Sequence, residues 1–209
     1  MRLFDFHRAP NPRRARMFLA EKGLEVQLVP VNLFGMEQLS PEYLAINPDG
    51  TVPLLETDEG VFLSETVAIC HYLEQLKPDP ALMGKTVIEQ AQVLMWNNIV
   101  EQQGMFAIAE TLRNWSPGFR NRVFAGQVDY PQMPELIARG RTRMEQFFDR
   151  VNVQLTGRAF LATEDYTLAD ISLLAMTEFA GWVECEPTAS RRELARWHAK
   201  AMQRPSATA

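Results

Sequence analysis

The pattern of polar and apolar residues changes once, near residue 78, and this change limits the folds that the chain can adopt. Up to about residue 76, stretches that alternate polar and apolar residues, as half-buried strands do, are interleaved with stretches of helical periodicity. After a proline-rich break at residues 77–80, apolar residues recur only at helical spacing. The sequence therefore predicts an α+β protein with three parts: a βαβαββα domain at 1–78, a linker at 79–85 and an all-helical domain at 86–209.

Turn and helix-stop residues mark the elements of the first domain. Asn11 and Pro12 open a helix, because asparagine can cap a helix and proline suits its first turn, and Gly23 ends it. An Asp-Glu-Gly sequence before Val61 predicts a hairpin turn. The predicted elements are strands at 2–6 and 25–31, a short helix at 42–46, a hairpin over 52–63 and a helix at 64–76.

Capping signals mark the helices of the second domain. Thr86 and Glu89 have the spacing of a capping box, as do the ends of the segment 190–193. Thr167 and Asp170 form a similar box with aspartate, which predicts a structural role for this pair. The expected helices cover 86–112, 134–155, 167–182 and a stretch from 190, and residues from about 206 are expected to fray.

Charge and cysteine content narrow the possible partners and location. The formal net charge is −5, which gives little long-range attraction for nucleic acid or anionic membranes. Cys70 and Cys185 stand far apart in no metal-ligand spacing, which argues against a disulfide framework and a zinc site. No stretch reads as a membrane span or signal peptide. We therefore expect a cytoplasmic protein without metal, nucleic-acid partner or membrane attachment.

A local basic cluster, Arg13, Arg14 and Arg16, lies on the first predicted helix. One interpretation is a solvated helix face. The other is a basic rim that attracts a small carboxylate ligand.

Two short segments have features of a ligand site. Pro53, between a turn and a strand, indicates either a trans proline at a strand start or a cis bond that leaves the main chain of Val52 free. The helix that starts near Ser64 and Thr66 offers free N–H groups to a carboxylate, and Glu65 can pair with an ammonium. The alternative is that Ser64 is a plain cap and Glu65 a favourable first-turn acid.

The order and spacing of these motifs resemble the cytosolic glutathione transferase family, specifically its bacterial theta-like and nu-like members. The resemblance spans nearly the whole chain and rests on the segments 10–14, 18–23, 47–55, 63–69 and 167–170, the last of which matches the family's folding cap. It implies a thioredoxin-like first domain that binds glutathione as a substrate. It also implies a pocket for an apolar electrophile, lined by the C-terminal helices, and a homodimer.

The resemblance assigns roles to individual residues. It implies that Pro53 is cis and that Val52 pairs, strand-like, with the cysteinyl backbone of glutathione. Glu65 and Thr66 match the positions that hold the γ-glutamyl end. Gln38 matches a position from which relatives often direct a polar or basic side chain toward the glycyl carboxylate.

The chain departs from the family at the catalytic position. Tyrosine-type members carry a tyrosine where this chain has Phe4 and Phe6, serine-type members carry a serine where it has Ala9, and the cysteine of cysteine-type members is missing. The remaining candidate is Asn11, whose amide can donate to a thiolate as the nu-like members suggest. The alternative for Asn11 is a plain helix cap, and His7 lacks an orienting partner.

The sequence therefore predicts a glutathione transferase that stabilises the thiolate and transfers it to an apolar electrophile, with peroxide or disulfide reduction as further reactions. The missing serine at Ala9 keeps open a catalytically weak or inactive binding or regulatory protein. A third alternative is a dehalogenase or isomerase that uses glutathione as a cofactor.

Overall fold

The computed structural model describes all 209 residues and begins with a four-stranded mixed sheet flanked by helices. The elements are β1 (Arg2–Asp5), α1 (Pro10–Lys22), β2 (Gln27–Pro30), α2 (Pro41–Ile46), β3 (Leu54–Glu56), β4 (Phe62–Leu63) and α3 (Thr66–Leu76). The predicted βαβαββα order is confirmed. The strand order is β2-β1-β3-β4, with β1 and β2 parallel and the remaining pairs antiparallel.

The rest of the chain is helical, as predicted, and none of its helices is long and apolar enough to cross a membrane. A π-helical segment, Val100–Met105, interrupts the long helix that the sequence predicted and joins two α-helices end to end. Segments of this kind are frequent at functional sites. The helices are α4 (Val87–Ile99), α5 (Phe106–Trp115), α6 (Glu135–Gln154), α7 (Leu168–Ala180) and α8 (Arg192–Ala201).

One apolar core joins the sheet-containing part to the helical part. The cluster includes Leu3 and Phe18 from the first part, and Phe147, Leu173 and Trp197 from the second. Helix α1 packs on both α3 and α7, which explains why most of its residues are buried. The N-terminus of α1 is therefore held by contacts from both parts of the chain.

The Thr167–Asp170 capping box is present at the start of α7. The buried Asp170 carboxylate accepts hydrogen bonds from Thr167 N at 3.1 Å, Leu161 N at 2.9 Å and Trp197 Nε1 at 2.9 Å. Burial raises the pKa of Asp170 to about 6, although these hydrogen bonds act in the opposite direction. The Asp170 side chain thus ties α7 to α8 and to the preceding loop, in keeping with the structural role that the sequence predicts.

Two expectations for the C-terminal segment are wrong. Helix α8 begins at Arg192 without a cap from Ser190, because Asn152 of α6 supplies the acceptor for the N–H groups of Glu193 and Leu194 at 2.9 and 3.1 Å. The residues from about 206 do not fray. They form a short 3₁₀ turn with Ser206 buried, and this turn packs on α1.

Candidate functional site

Four loop segments meet at one end of the sheet. Strand β1 ends at Asp5, its antiparallel neighbour β3 begins at Leu54, and β4 ends at Leu63 beside Leu55. The segments 6–10, 51–53 and 64–66 therefore leave the sheet at the same end, and the loop after β2 also starts there because β2 runs parallel to β1. The topology thus brings together the segments that carry Asn11, Gln38, Val52, Pro53, Glu65 and Thr66.

The Val52–Pro53 peptide bond is cis, as the resemblance implied. Neither the N–H nor the C=O of Val52 makes a hydrogen bond within the chain. The residue before it is held firmly, since the Thr51 carbonyl accepts from Tyr43 Oη at 2.7 Å and Asn47 Nδ2 at 2.8 Å. Burial raises the pKa of Tyr43 to about 12, which keeps this phenol a donor. The main chain of Val52 is thus fixed and free to pair with a ligand.

The start of α3 offers a second set of free main-chain donors. Thr66 begins the helix, and no side chain caps it, so Ser64 is not the cap that one interpretation expected. The N–H groups of Thr66, Val67 and Ala68 make no hydrogen bond within the chain. The residue before the helix, Glu65, has φ 65° and ψ 121°, a conformation that L-residues rarely adopt. Glu65 is exposed and directly precedes these donors in the chain.

Asn11 is not a helix cap, because α1 begins at Pro10 and Ala9 occupies the cap position without a side-chain hydrogen bond. Pro10 and Pro12 have no N–H, and the N–H of Arg13 bonds to the Ala9 carbonyl at 3.2 Å. The N–H of Asn11 is consequently the one main-chain donor in this first turn without a partner in the chain. The capping alternative for Asn11 is therefore wrong.

Two of the three arginines on α1, Arg14 and Arg16, belong neither to a solvated face nor to a basic rim. Arg14 and Arg16 are buried, since α1 packs on other elements on several sides. Arg16 pairs with Asp5 and donates to the His7 carbonyl at 2.8 Å, while Arg14 pairs with Glu101 of the π-helical segment at 2.5 Å. Arg13 is half-buried. The sequence pattern missed these roles because the carboxylate partner of Arg14 lies far away along the chain.

This buried network orients the side-chain amide of Asn11. Arg14 Nη1 donates to Asn11 Oδ1 at 3.1 Å, and Asn11 Nδ2 makes no hydrogen bond within the chain. A guanidinium has donors only, so the amide oxygen must face it. Asn11 consequently presents two free donors, its main-chain N–H and its side-chain nitrogen.

Gln38 lies in a 3₁₀ turn after β2, half-buried, with its carbonyl against Gly50. A Cβ added at Gly50 would lie 3.1 Å from that carbonyl oxygen, and Gly50 has φ 59°, so glycine serves both the turn and the close approach. Gln38 Oε1 is buried without a hydrogen-bond partner. The turn therefore stands next to the loop that leads to Val52.

An arginine and two aromatic rings form a rim near the start of α1. The Arg8 guanidinium lies 5.8 Å from the ring centre of Phe34 and 5.3 Å from that of Trp182. A small cavity of about 50 Å³ lies beside it, and Pro10 contributes to the lining. A larger open cavity of about 490 Å³ is lined by loop residues between Phe124 and Tyr130 and contains none of the predicted site residues.

Neither cysteine has the properties of a nucleophile. Cys70 is fully buried, and burial raises the pKa of its thiol to about 12. Burial likewise raises the pKa of Cys185 to about 11. Both thiols are protonated near neutral pH, as expected of structural cysteines.

Comparisons with known proteins agree with this architecture. The glutathione S-transferase N-terminal domain family matches residues 3–81, and the glutathione S-transferase C-terminal domain family matches residues 122–205. Glutathione S-transferase 2 of Saccharomyces cerevisiae is 32% identical over 208 residues, covering 99% of this chain and 87% of that protein. A maleylacetoacetate isomerase of Pseudomonas aeruginosa is 44% identical over 94 residues, which is 44% of each chain.

A solved structure extends the match to three dimensions. The crystal structure of a glutathione S-transferase domain-containing protein from Marinobacter aquaeolei VT8 has a TM-score of 0.91 at 30% identity, and the match covers 99% of this chain and 100% of that one. Sequence and fold agree over nearly the whole length. The chain therefore belongs to the glutathione S-transferase family.

Proposed function

We propose that this protein is a glutathione transferase that binds glutathione at the end of the sheet and stabilises its thiolate with Asn11. The observation that carries the proposal is the pair of free donors on Asn11, one on the main chain and one on the side chain. Both lie at the first turn of α1, where the helix dipole also favours a negative charge.

The unpaired groups around Asn11 suit the rest of the tripeptide. The free N–H and C=O of Val52 can pair, strand-like, with the cysteinyl main chain, with Pro53 setting the direction of the loop. The free N–H groups from Thr66 onward can bind the γ-glutamyl carboxylate, and Glu65 can pair with the adjacent ammonium. Gln38 is assigned to the glycyl carboxylate.

Two donors are enough to ionise the thiol near neutral pH. A free thiol has a pKa of ~8.5, and lowering it by ~2 units requires ~2.7 kcal/mol of preference for the anion. A hydrogen bond to a charged group contributes about 1.5–3 kcal/mol. The N–H and Nδ2 of Asn11 together therefore meet the requirement without a hydroxyl at residue 9.

The proposed reaction is attack of the glutathione thiolate on an apolar electrophile, in which a sulfur–carbon bond forms and the leaving group departs with its electron pair. With a hydroperoxide the same thiolate attacks oxygen and the O–O bond breaks. With a mixed disulfide it attacks sulfur, the S–S bond breaks and the other sulfur leaves as a thiolate. The test supplies glutathione with a panel of aryl halides, hydroperoxides and mixed disulfides. Turnover above background in at least one class is expected, and background rates in all three would refute an enzymatic function.

Ala9 favours a second candidate, a binding or regulatory protein with little or no catalysis. The cap position of α1 lacks the hydroxyl that serine-type members place there. Calorimetry separates the two candidates, because glutathione binding without turnover supports the second. An isomerase that uses glutathione as a cofactor is related to both, and product identification distinguishes it from a transferase.

We further propose a homodimer in the cytoplasm. One face of α4 exposes an apolar stripe at helical spacing, formed by Val87, Ala91, Leu94 and Met95. Val87 is 83% exposed and Leu94 is 46% exposed in the single chain. A second copy that covers this stripe would bury it from water.

A further inference from the structure

We propose that Arg14 is a positioning residue that holds the Asn11 amide with its nitrogen turned toward the glutathione sulfur. The inference rests on the proposed function, since it assigns Arg14 a task only if Asn11 stabilises a thiolate. It concerns a residue that does not itself touch the substrate.

The guanidinium of Arg14 is held at all three of its nitrogens. Nη1 donates to Asn11 Oδ1 at 3.1 Å, Nε donates to Ser172 Oγ at 2.8 Å, and Nη2 donates to Asn97 Oδ1 at 3.1 Å. Nη2 also donates to Glu101 Oε1 at 2.5 Å. A planar group with this many fixed partners has little freedom to rotate. The direction from which it meets Asn11 is therefore fixed as well.

The acceptors that fix Arg14 also support one another. Ser172 Oγ donates to Asn97 Oδ1 at 2.6 Å, so a single amide oxygen receives both the hydroxyl and the guanidinium. The Arg14 side chain is 2% exposed and that of Glu101 is 24% exposed, so the charge pair is largely shielded from water. Hydrogen-bond networks in such surroundings are stiff and strongly coupled.

All the anchors of Arg14 other than Asn11 come from the helical domain. Asn97 lies on α4, Glu101 lies in the π-helical segment, and Ser172 lies on α7. Asn11 lies on α1 of the first domain. The helical domain thus determines, through Arg14, which end of the Asn11 amide faces the proposed glutathione site.

A purely structural role for Arg14 makes a different prediction. In that case its removal lowers the free energy of unfolding and leaves the chemistry of bound glutathione unchanged. A positioning role predicts a higher pKa of the bound thiol in protein that is still folded, because the amide is then free to turn its oxygen toward the sulfur. The rate follows the thiolate fraction, which falls about tenfold for each unit by which the pKa rises above the pH of the assay.

The experiment titrates the ultraviolet absorbance of the glutathione thiolate bound to each full-length variant. R14M removes the guanidinium, and R14M/E101Q also removes the carboxylate that would otherwise remain as an uncompensated buried charge. R14K keeps the positive charge but lacks the planar guanidinium with its several N–H donors. R191M is the matched control, because Arg191 is a buried guanidinium that pairs with Glu145 and Asp149 instead.

We expect R14M, R14M/E101Q and R14K to raise the pKa of the bound thiol toward that of N11A, with the KM for glutathione changing less than kcat. Adding N11A to the Arg14 variants should raise the pKa of the bound thiol little further, because both substitutions act through the Asn11 amide. An unchanged thiol pKa in folded R14M/E101Q and R14K, while N11A raises it, overturns the positioning role alone. No shift in N11A itself overturns the proposed role of Asn11 and the inference that depends on it.

Discussion

Nη1 of Arg14 donates to the amide oxygen of Asn11 across 3.1 Å, and the amide nitrogen of Asn11 is left without a partner in the chain. A helix cap would have used that oxygen to accept a main-chain N–H. Here Ala9 occupies the cap position of α1, and the amide oxygen of Asn11 accepts a hydrogen bond from the buried guanidinium of Arg14. The proposed catalytic donor is therefore the end of the side chain that the fold does not use.

Asn11→Ala removes the side-chain donor and keeps the main-chain one. The pKa of bound glutathione should rise by ~1–2 units, since one hydrogen bond to a charged group contributes about 1.5–3 kcal/mol. The rate near neutral pH should fall accordingly and recover at alkaline pH. Asn114→Ala is the control, because Asn114 is a buried amide that bonds to Met133 N and the Glu110 carbonyl. An equal shift in the control would show that the effect is general.

Glu65→Gly should move stability and binding in opposite directions. Glu65 has φ 65°, and glycine adopts such a conformation without the cost of ~1–3 kcal/mol that other residues incur. Thermal unfolding should therefore occur at higher temperature. Calorimetry should show weaker glutathione binding, by about tenfold, because the partner of the ammonium is lost.

A second strained glutamate provides the control for this prediction. Glu184 has φ 59° and follows the short 3₁₀ turn after α7. Glu184→Gly should raise the unfolding temperature in the same way and leave glutathione affinity unchanged. Weaker binding in both variants would mean that Glu65 has no specific role.

Asp170→Asn should destabilise the protein more at mildly acidic than at neutral pH. Burial raises the pKa of Asp170 to about 6 from 3.8, so the folded state binds the proton more tightly than the unfolded state. Its contribution to stability is therefore largest below about pH 4 and declines as pH rises through 6, by a total of about 3 kcal/mol. An asparagine side chain does not titrate, so the variant lacks this pH dependence of stability. Urea unfolding of both proteins at pH 5 and 7 measures the difference, and a deficit that grows with pH would contradict the raised pKa.

Features with a local cause were predictable from the sequence. Gly23 ends α1 with φ 56°, and Thr86 and Glu89 form the reciprocal capping box of α4. The cis bond before Pro53 was also anticipated, although only the family resemblance, and not the residues alone, favoured it. For Gly23 and for the Thr86–Glu89 capping box, the signal and the structure lie within a few residues of each other.

Features that depend on distant partners were not predictable. The cap of α8 comes from Asn152, and the π-helical segment that carries Glu101 has no sequence signal of its own. The burial of Arg14 depends on Ser172, which lies on α7 of the other domain. A row of arginines on one helix looks the same in the sequence whether it faces water or a buried acid.

The C-terminal turn illustrates the same point and can be tested by truncation after Gln203. Glu21 of α1 accepts from Arg204 Nε at 2.7 Å and Nη2 at 2.6 Å, and also from Ser206 Oγ. Burial alone would raise the pKa of Glu21, but these hydrogen bonds bring it below its usual value. The resulting stability is present above about pH 4.5 and is lost as pH falls through the lowered pKa.

Removal of residues 204–209 should therefore cost about 2 kcal/mol at pH 7, the range of a hydrogen bond between charged groups. The loss should shrink in an acidic buffer, where Glu21 is protonated with or without the turn. In a Glu21→Gln background the truncation should cost less, because no carboxylate is then left without its partner. Denaturant unfolding of the four proteins measures this, and equal losses in both backgrounds would assign the effect to packing alone.

The proposed dimer can be tested at the centre of the apolar stripe on α4. Leu94→Arg introduces a charge among Val87, Ala91 and Met95, all of which are exposed in the single chain. Because burying an unpaired charge in an interface is costly, the variant should be monomeric at concentrations at which the unchanged protein is a dimer. Light scattering coupled to size-exclusion chromatography gives the mass directly.

The control is Met202→Arg. Met202 is an exposed apolar residue beyond the end of α8, so this substitution should leave the mass unchanged. A monomeric unchanged protein, or a Leu94→Arg variant that stays dimeric, would show that the stripe is not the interface between two copies.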